Sequence, residues 1–329
     1  MGVGGIQLVV TLVGVVVIAW AVGWAMIALG SRTGLVDRPD DDLKLHEGAV
    51  PPLGGLAVFA GVLAGSVALG QLDIGLGAAA ILVVGVGLVD DVGTLSPRLR
   101  LVAELIAALL FVALSPAIDG YGFGSVALIV LIAVVAMNAV NLIDGIDGLA
   151  GSVSAITAVG LALLAVQQAG VPEIAAVTAA ALFGFLLWNR HPARLFLGDN
   201  GAYLTGLLLV YGIARAAPGG AVPDVLLGVA MLGMLLIDLA VTVLRRLRAG
   251  RPLFAGDRSH TYDQLRLRGS STPRVTTVFA VVQSILVLAV LGIAKLGGWP
   301  AVAVVGVLGV GTLVVAVLLG FLDPDPDPS

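Results

Sequence analysis

Long apolar runs separated by short polar or Gly- and Pro-rich breaks dominate this chain. Such runs fall at about 6–29, 53–70, 74–89, 101–115, 124–140, 149–167, 173–188, 201–214, 221–243, 275–294 and 299–321. Several of them reach or approach the roughly 20 residues that cross a bilayer as a helix. Their continuity argues against strands, which would alternate apolar and polar positions. The pattern predicts an all-α, polytopic integral membrane bundle of about 10–11 transmembrane helices, one of them open to a re-entrant interpretation.

Basic residues predict how this bundle is oriented. If eleven helices alternate in direction, Arg215 and Lys295 face one side, and the other fifteen of the 17 Lys and Arg residues face the opposite side. Because cytoplasmic loops are rich in Lys and Arg, we expect an outside N-terminus and a multi-pass location in the cell inner (plasma) membrane. We also expect one multi-helix transmembrane domain over residues 1–322 and a short acidic, Pro-rich tail at 323–329.

The amino-acid composition excludes several kinds of functional site. The chain is 59% hydrophobic and has no cysteine, which excludes disulfides, thiolate catalysis and Cys-ligated metals. Its net charge of -4 gives no reason to expect nucleic acid as a partner. The three histidines, His46, His191 and His260, do not form a zinc motif such as H-E-x-x-H, and no P-loop motif occurs.

Acidic residues gather in five clusters that the predicted topology places on the cytoplasmic side. They lie in the first loop, at Asp90 and Asp91, at Asp144 and Asp147, at Asp199, and in the longest loop at Asp257 and Asp263. For any single cluster, helix capping is the competing explanation. Five clusters on one face favour a functional site, because carboxylates are costly near hydrocarbon. Carboxylates interleaved with Arg and Lys suit Mg²⁺, with Mn²⁺ as an alternative, bound beside a phosphorylated substrate.

Five ordered motifs between residues 34 and 269 carry a resemblance to a known family. They are D-R-P-D-D-D-L-K-L-H-E-G-A-V-P-P-L-G-G, G-L-V-D-D-V-G-T-L-S-P-R-L-R, N-A-V-N-L-I-D-G-I-D-G-L-A, N-R-H-P-A-R-L-F-L-G-D-N-G and D-R-S-H. In this order they resemble the polyprenyl-phosphate N-acetylhexosamine-1-phosphate transferases. The resemblance implies transfer of a sugar-1-phosphate from a UDP-N-acetylhexosamine to a polyprenyl phosphate, with release of UMP.

The resemblance also implies roles for individual residues. Asp199 matches the principal Mg²⁺ ligand and Asn141 a second one, whereas Asp90 and Asp91 match acids assigned to acceptor activation or to organising metal and phosphate. Helix capping is the competing explanation for these aspartates. The substrate-binding positions implied are Lys44, His46, Arg98, Arg100, Asn138, Asp144, Asp147, Asn189, Arg258 and His260. Asp147 matches a uridine contact. Positive-inside anchoring competes for the basic residues, and Glu104 is expected to pair with Arg100 along one helix.

The donor sugar is the least determined part. In place of the D-[RK]-x-H-x-H-H stretch of many relatives, the chain has Tyr262 and Asp263 at the last two positions. The H-E-G-A-V-P-P-L-G-G segment resembles the UDP-GlcNAc group, so we expect UDP-GlcNAc as donor and undecaprenyl or decaprenyl phosphate as acceptor. Such a reaction begins the synthesis of a lipopolysaccharide, teichoic acid or arabinogalactan polymer. Membrane lipids are expected to surround the protein, and a homodimer is one possible oligomeric state. The alternatives are a phospho-MurNAc-pentapeptide transferase or, in another class, a secondary transporter.

Overall fold

The computed structural model describes residues 4–37, 49–93, 95–251 and 260–322. Within these ranges the chain is almost entirely helical, and the only β-type contact is an isolated bridge between Asp37 and Val50. The helices are α1 (Gly5–Thr33), α2 (Gly54–Ala68), α3 (Ile74–Val92), α4 (Pro97–Leu114), α5 (Phe123–Ile143), α6 (Leu149–Gln167), α7 (Glu173–Asn189), α8 (Gly198–Ala216), α9 (Val222–Ala230), α10 (Gly233–Arg248), α11 (Thr261–Leu267), α12 (Thr272–Ala294) and α13 (Gly298–Leu318). The predicted all-α fold is confirmed.

Ten of the eleven apolar runs each form one helix close to the predicted position, but the helices differ in length and polarity. Six of the described helices are long and apolar enough to cross a membrane, namely α1, α3, α5, α6, α12 and α13. The pair α9 and α10 makes a seventh if it is counted as one bent span, and α2 and α7 are shorter apolar helices. The chain is therefore a polytopic membrane bundle, while the larger number of spans and the orientation stay predictions.

The ninth apolar run is not one straight helix. It breaks between α9 and α10, which are bent by 80° relative to each other. The buried side chain of Gln283, on α12, accepts a hydrogen bond from the Met234 N–H and donates one to the Met231 carbonyl, both at 2.8 Å. Because a broken helix frees backbone polar groups that lipid cannot satisfy, this single amide stabilises the break.

Helix α8 lies at the centre of the bundle, packed against α2, α3, α5 and α6. Nearly all of its residues are buried. Glycines allow the close approach: a Cβ on Gly55 of α2 would lie 2.4 Å from the main-chain nitrogen of Gly201, and one on Gly206 would lie 2.5 Å from the Cα of Met137. The N-terminus of α8 consequently lies beside the C-terminal ends of α3 and α5, where the predicted acids are found.

Candidate functional site

A polar cavity of about 400 Å³ lies where the ends of α3 and α5 meet the N-terminus of α8. Its polar lining consists of Asp37, Asp91, Asn141, Asp144, Asp147, Asn189, His191, Asp199, Arg266 and Thr272. Six predicted site residues come together here, although Asp91 and Asp199 are 108 positions apart in the chain. The cavity lies between loops and helix ends, as expected for a site that admits a soluble ligand.

Asp199 lies in the first turn of α8, directly after Gly198. The side-chain amide of Asn141, in the last turn of α5, donates a hydrogen bond to the Asp199 carboxylate. Gly198 has a φ of 74°, and a Cβ at this position would lie 2.3 Å from the carbonyl oxygen of Pro52. Only glycine fits this turn without strain, which explains the glycine before Asp199 in L-G-D-N-G.

Asp144 follows α5 and is half-buried in the same cavity. Burial raises the pKa of the Asp144 carboxyl well above its ordinary range, and the negative charges of Asp199 and Asp91 raise it further. The Gly198 N–H, which donates to Asp144, opposes this rise. A cation between these carboxyl groups would relieve their mutual repulsion.

The donor atoms at this point fit magnesium. Among the described residues, no group of three or more His, Asp or Glu side chains forms a complete metal site. Magnesium, however, usually takes one or two carboxylates and completes its shell with water and phosphate oxygens. Asp199 and Asp144 would supply the carboxylates, and Asn141, whose nitrogen donates to Asp199, would supply its amide oxygen.

Asp91 acts as a cap for α8 from another helix. Its carboxylate accepts hydrogen bonds from the main-chain N–H of Asp199 at 2.8 Å and of Asn200 at 3.2 Å, and from the Asn200 side chain at 2.6 Å. The first N–H groups of a helix have no partner within the helix and attract negative charge. Asp91 therefore has a capping role. Because it lies on α3 and caps α8, it also holds Asp199 in place.

We expect Asp91→Ala to lower the free energy of unfolding by about 1–3 kcal/mol, because two partly buried N–H groups lose their acceptor. The melting temperature of the purified protein in detergent measures this change. Asp119→Ala, at an exposed aspartate, is the matched control. If Asp91→Ala melts like the control but loses activity, Asp91 takes part in the chemistry and not in capping.

Asp90, the other member of the pair, is buried and points to α4. Arg100 Nη2 donates to Asp90 Oδ1 at 2.8 Å, and Arg100 Nε lies 2.6 Å from Oδ2. The Leu95 N–H and the Tyr203 hydroxyl also donate to this carboxylate. Neither Asp90 nor Arg100 lines the cavity. Arg100 forms its ion pair with Asp90, whereas the sequence predicted Glu104 as its partner.

Asn138 lies one turn before Asn141 but does not line the cavity. Its amide donates to the buried Glu104 carboxylate and to the Val134 carbonyl at 2.9 Å. This contact joins α4 to α5. The predicted substrate contact of Asn138 therefore has a competing structural explanation in the folded chain.

Asp147 and Asn189 connect the two loops that flank the cavity. Asn189 is buried, accepts from the Gly148 N–H at 3.1 Å and donates to the Leu195 carbonyl at 2.9 Å. Asp147 Oδ2 lies 2.7 Å from His191 Nδ1 and accepts from the Ala193 N–H at 3.1 Å. His191 was not predicted as a site residue, and the signal that marks it is its place in N-R-H-P, two positions after Asn189.

His260 does not line the cavity. It directly precedes the short helix α11, in a segment that the sequence pattern describes only as a loop. It is buried, stacks on Tyr262 with ring centres 5.4 Å apart, and lies 3.3 Å from the buried Asp238. The Tyr262 hydroxyl donates to the Leu142 carbonyl at 3.4 Å and occupies the space that a Cβ on Gly145 would need. This side of the loop therefore supports the α5–α6 connection.

Arg98, another predicted position, is exposed on the first turn of α4 and does not line the cavity. Lys44, His46 and Arg258 lie outside the described residues.

Comparisons with known proteins show which proteins this chain resembles. The family model of glycosyl transferase family 4 matches residues 74–216, which include the ends of α3 and α5 and the whole of α8. The probable undecaprenyl-phosphate N-acetylglucosaminyl 1-phosphate transferase of Bacillus subtilis is 28% identical over 89% of this chain and 86% of its own length. The decaprenyl-phosphate N-acetylglucosaminephosphotransferase of Mycobacterium tuberculosis is 29% identical over 91% of this chain and 87% of its own. An undecaprenyl-phosphate alpha-N-acetylglucosaminyl 1-phosphate transferase of Thermotoga maritima is 26% identical over 70% and 72%.

Proposed function

Because the chain belongs to the polyprenyl-phosphate N-acetylhexosamine-1-phosphate transferases of glycosyl transferase family 4, we propose that it transfers GlcNAc-1-phosphate from UDP-GlcNAc to a polyprenyl phosphate. The observation that carries this proposal is the acidic cavity in which Asp144, Asn141 and Asp199 meet at the N-terminus of α8. Oxygen ligands of this kind suit a metal and a diphosphate together.

In the proposed reaction, an oxygen of the lipid phosphate forms a bond to the β-phosphorus of the donor. The bond from that phosphorus to the bridging oxygen breaks, and this oxygen leaves with UMP. The product joins lipid and sugar through a diphosphate. Little covalent chemistry is left to the protein, so the residues act by positioning both substrates and by stabilising charge.

We assign Asp199, Asn141 and Asp144 to holding Mg²⁺, or Mn²⁺ in its place. The bound metal would neutralise charge on the phosphate oxygens of the donor. Asp90 and Asp91 act as positioning residues in this scheme, because N–H groups, Arg100 and Tyr203 already engage their carboxylates. Asp91 fixes the first turn of α8, and Asp90 fixes the Arg100 side chain.

The acceptor is a membrane-anchored phosphate and the donor is water-soluble, so one site must be open to both phases. The excess of Lys and Arg on one side supports a cavity that faces the cytoplasm from the inner membrane. Undecaprenyl or decaprenyl phosphate is the proposed acceptor, since the names of the relatives contain these two lipids. Membrane lipids surround the bundle, and a homodimer is compatible with this scheme.

UDP-GlcNAc is the proposed donor, because the relatives from three organisms are named for N-acetylglucosamine. UDP-MurNAc-pentapeptide is the alternative within the superfamily. A secondary transporter is the alternative from another class, and such proteins place their acids near the bilayer midplane. Here Asp91, Asp144 and Asp199 lie at helix ends, which supports the transferase.

The exchange of labelled UMP into UDP-GlcNAc tests the proposed transfer reaction. Purified protein in detergent with undecaprenyl phosphate and Mg²⁺ should incorporate labelled UMP into UDP-GlcNAc, because the reaction is reversible. Omission of the lipid phosphate, or chelation of the metal, should stop exchange. UDP-GalNAc and UDP-MurNAc-pentapeptide in parallel reactions identify the preferred sugar. Flux of solute across vesicles without any exchange would instead assign the chain to the transporters.

A further inference from the structure

The connection between α5 and α6 carries Asp144, one of the residues assigned above to the metal. Asp144 directly follows the last residue of α5, and Gly145 comes next and also lines the cavity. Any displacement of the main chain at Gly145 therefore moves the Asp144 carboxylate relative to Asp199. A metal held by both carboxylates depends on their separation, because magnesium tolerates little variation in its coordination geometry.

Tyr262, in the first turn of α11, packs directly against this connection. A Cβ on Gly145 would overlap the Tyr262 hydroxyl oxygen and would lie 2.7 Å from its Cε2 atom. The same hydroxyl donates a hydrogen bond to the Leu142 carbonyl at 3.4 Å. Tyr262 therefore contacts the main chain on both sides of Asp144 in the sequence, although it does not itself line the cavity.

The Tyr262 ring, and not the backbone conformation, requires glycine at position 145. Gly145 is not one of the glycines with a positive φ, so alanine could adopt the same φ. The three atoms nearest to the missing Cβ all belong to Tyr262. Gly145 and Tyr262 therefore form one tightly packed pair, in which the ring leaves no room for a side chain on the connection.

Helix α11 is attached to two other elements, so Tyr262 has little freedom to move away. The Thr261 N–H donates to the buried Asp238 carboxylate of α10 at 3.1 Å. The buried Gln264 side chain donates to the Phe321 carbonyl, shortly after α13, at 3.1 Å. The Tyr262 side chain is itself buried, and closely packed interiors transmit a displacement to their neighbours.

We infer that Tyr262 is a positioning residue for the metal, because its ring contacts the main chain at Gly145 and thereby sets the separation of the Asp144 and Asp199 carboxylates. This inference rests on the proposed function, which assigns both carboxylates to Mg²⁺. Tyr262 acts in this scheme without touching the metal or the donor. Residues that orient metal ligands in this way change metal affinity or activity by about ten- to a hundredfold when they are replaced.

Four variants separate this role from a purely structural one. Tyr262→Ala removes the ring, whereas Tyr262→Phe keeps the ring without the hydroxyl. Gly145→Ala introduces the Cβ that the ring opposes, and the double variant Gly145→Ala/Tyr262→Ala gives this Cβ the space that the ring leaves. Tyr121→Ala is the matched control, because the Tyr121 ring likewise packs against a glycine, Gly220, but lies near the C-terminal end of α8 and does not line the cavity.

The dissociation constant of Mn²⁺, measured by electron paramagnetic resonance with UDP-GlcNAc present and lipid phosphate absent, reports metal binding without turnover. The Mg²⁺ concentration for half-maximal exchange and the melting temperature in detergent are measured alongside. We expect Tyr262→Ala and Gly145→Ala each to raise the Mn²⁺ dissociation constant and the Mg²⁺ requirement about tenfold. At saturating Mg²⁺ their maximal exchange rates should stay within about threefold of the wild type.

The other variants show whether contact between the ring and the connection causes this effect. Tyr262→Phe should stay within about twofold of the wild type, because the ring remains and the lost hydrogen bond is long. The double variant should match Tyr262→Ala, since the Cβ of alanine no longer meets the ring and the two effects do not multiply. Tyr121→Ala should lower the melting temperature and keep the wild-type Mn²⁺ dissociation constant.

A wild-type Mn²⁺ dissociation constant in Tyr262→Ala would overturn the inference, as would multiplied effects in the double variant or an equal rise in Tyr121→Ala. If Tyr262→Ala does not fold, Tyr262→Leu replaces it, alone and combined with Gly145→Ala, because a leucine side chain is too short to reach Gly145. Failure of the proposed function is seen separately, since the wild-type protein itself would then catalyse no exchange with any UDP-sugar.

Discussion

Asp199→Asn is expected to reduce transfer by about a thousandfold or more while the protein folds and inserts normally. Asp199 is the carboxylate that the Asn141 amide contacts at the N-terminus of α8, and it faces the cavity. Replacement by an amide of the same shape removes a negative charge and a metal ligand with little change in volume. The loss should therefore fall on activity and on Mg²⁺ dependence, and not on stability.

Initial rates of exchange at increasing Mg²⁺ concentration, together with melting temperatures in detergent, measure both effects. Asp224→Asn is the control, since Asp224 lies in the first turn of α9 and does not line the cavity. Retained turnover of Asp199→Asn at ordinary Mg²⁺ concentration would remove Asp199 from its assigned role.

Gly87→Ala should lower both stability and activity, because α3 and α8 touch at this glycine. A Cβ on Gly87 would lie 2.3 Å from the main-chain nitrogen and Cα of Asn200 and 2.7 Å from the carbonyl carbon of Asp199. These are backbone atoms, so the helices must move apart. That movement separates Asp91 from the N–H groups that it caps. We expect a cost of about 1–3 kcal/mol for the overpacking and a loss of transfer of about a hundredfold.

Gly85→Ala is the matched control on the same helix, because its Cβ would meet no atom within 4 Å. Alanine there should be neutral or stabilise the helix by up to about 1 kcal/mol, since glycine is the weaker helix former. Melting temperature and exchange rate compare the two variants. Equal behaviour of Gly85→Ala and Gly87→Ala would show that close contact of α3 with α8 does not position the site.

Much of the fold follows from local pattern. The apolar runs predict the helices because burial in lipid or in a helical core needs a continuous apolar segment, and this property is read from neighbours in the chain. The bend between α9 and α10 is different. The run stays apolar through the break, and the group that stabilises the break is Gln283, 49 positions after Met234. A lone Gln in the apolar α12 is the only sign of it in the sequence.

Most polar residues of the candidate site could be predicted from the sequence, whereas several of their contacts could not. Asp91, Asn141, Asp144, Asp147, Asn189 and Asp199 were predicted and share one cavity. Asp91 as a cap for α8, and Arg100 as the partner of Asp90, depend on contacts between helices that no local spacing contains. His191 was missed because a lone histidine has no motif of its own, and its partner Asp147 is 44 positions away.

Anomalous X-ray diffraction from crystals grown with UDP-GlcNAc and Mn²⁺ tests the central claim most directly. We predict one manganese peak within about 2.3 Å of a carboxylate oxygen of Asp199, with Asn141 and Asp144 beside it and the donor diphosphate against the metal. A metal bound elsewhere, or a donor diphosphate outside the cavity between α3, α5 and α8, would contradict the account.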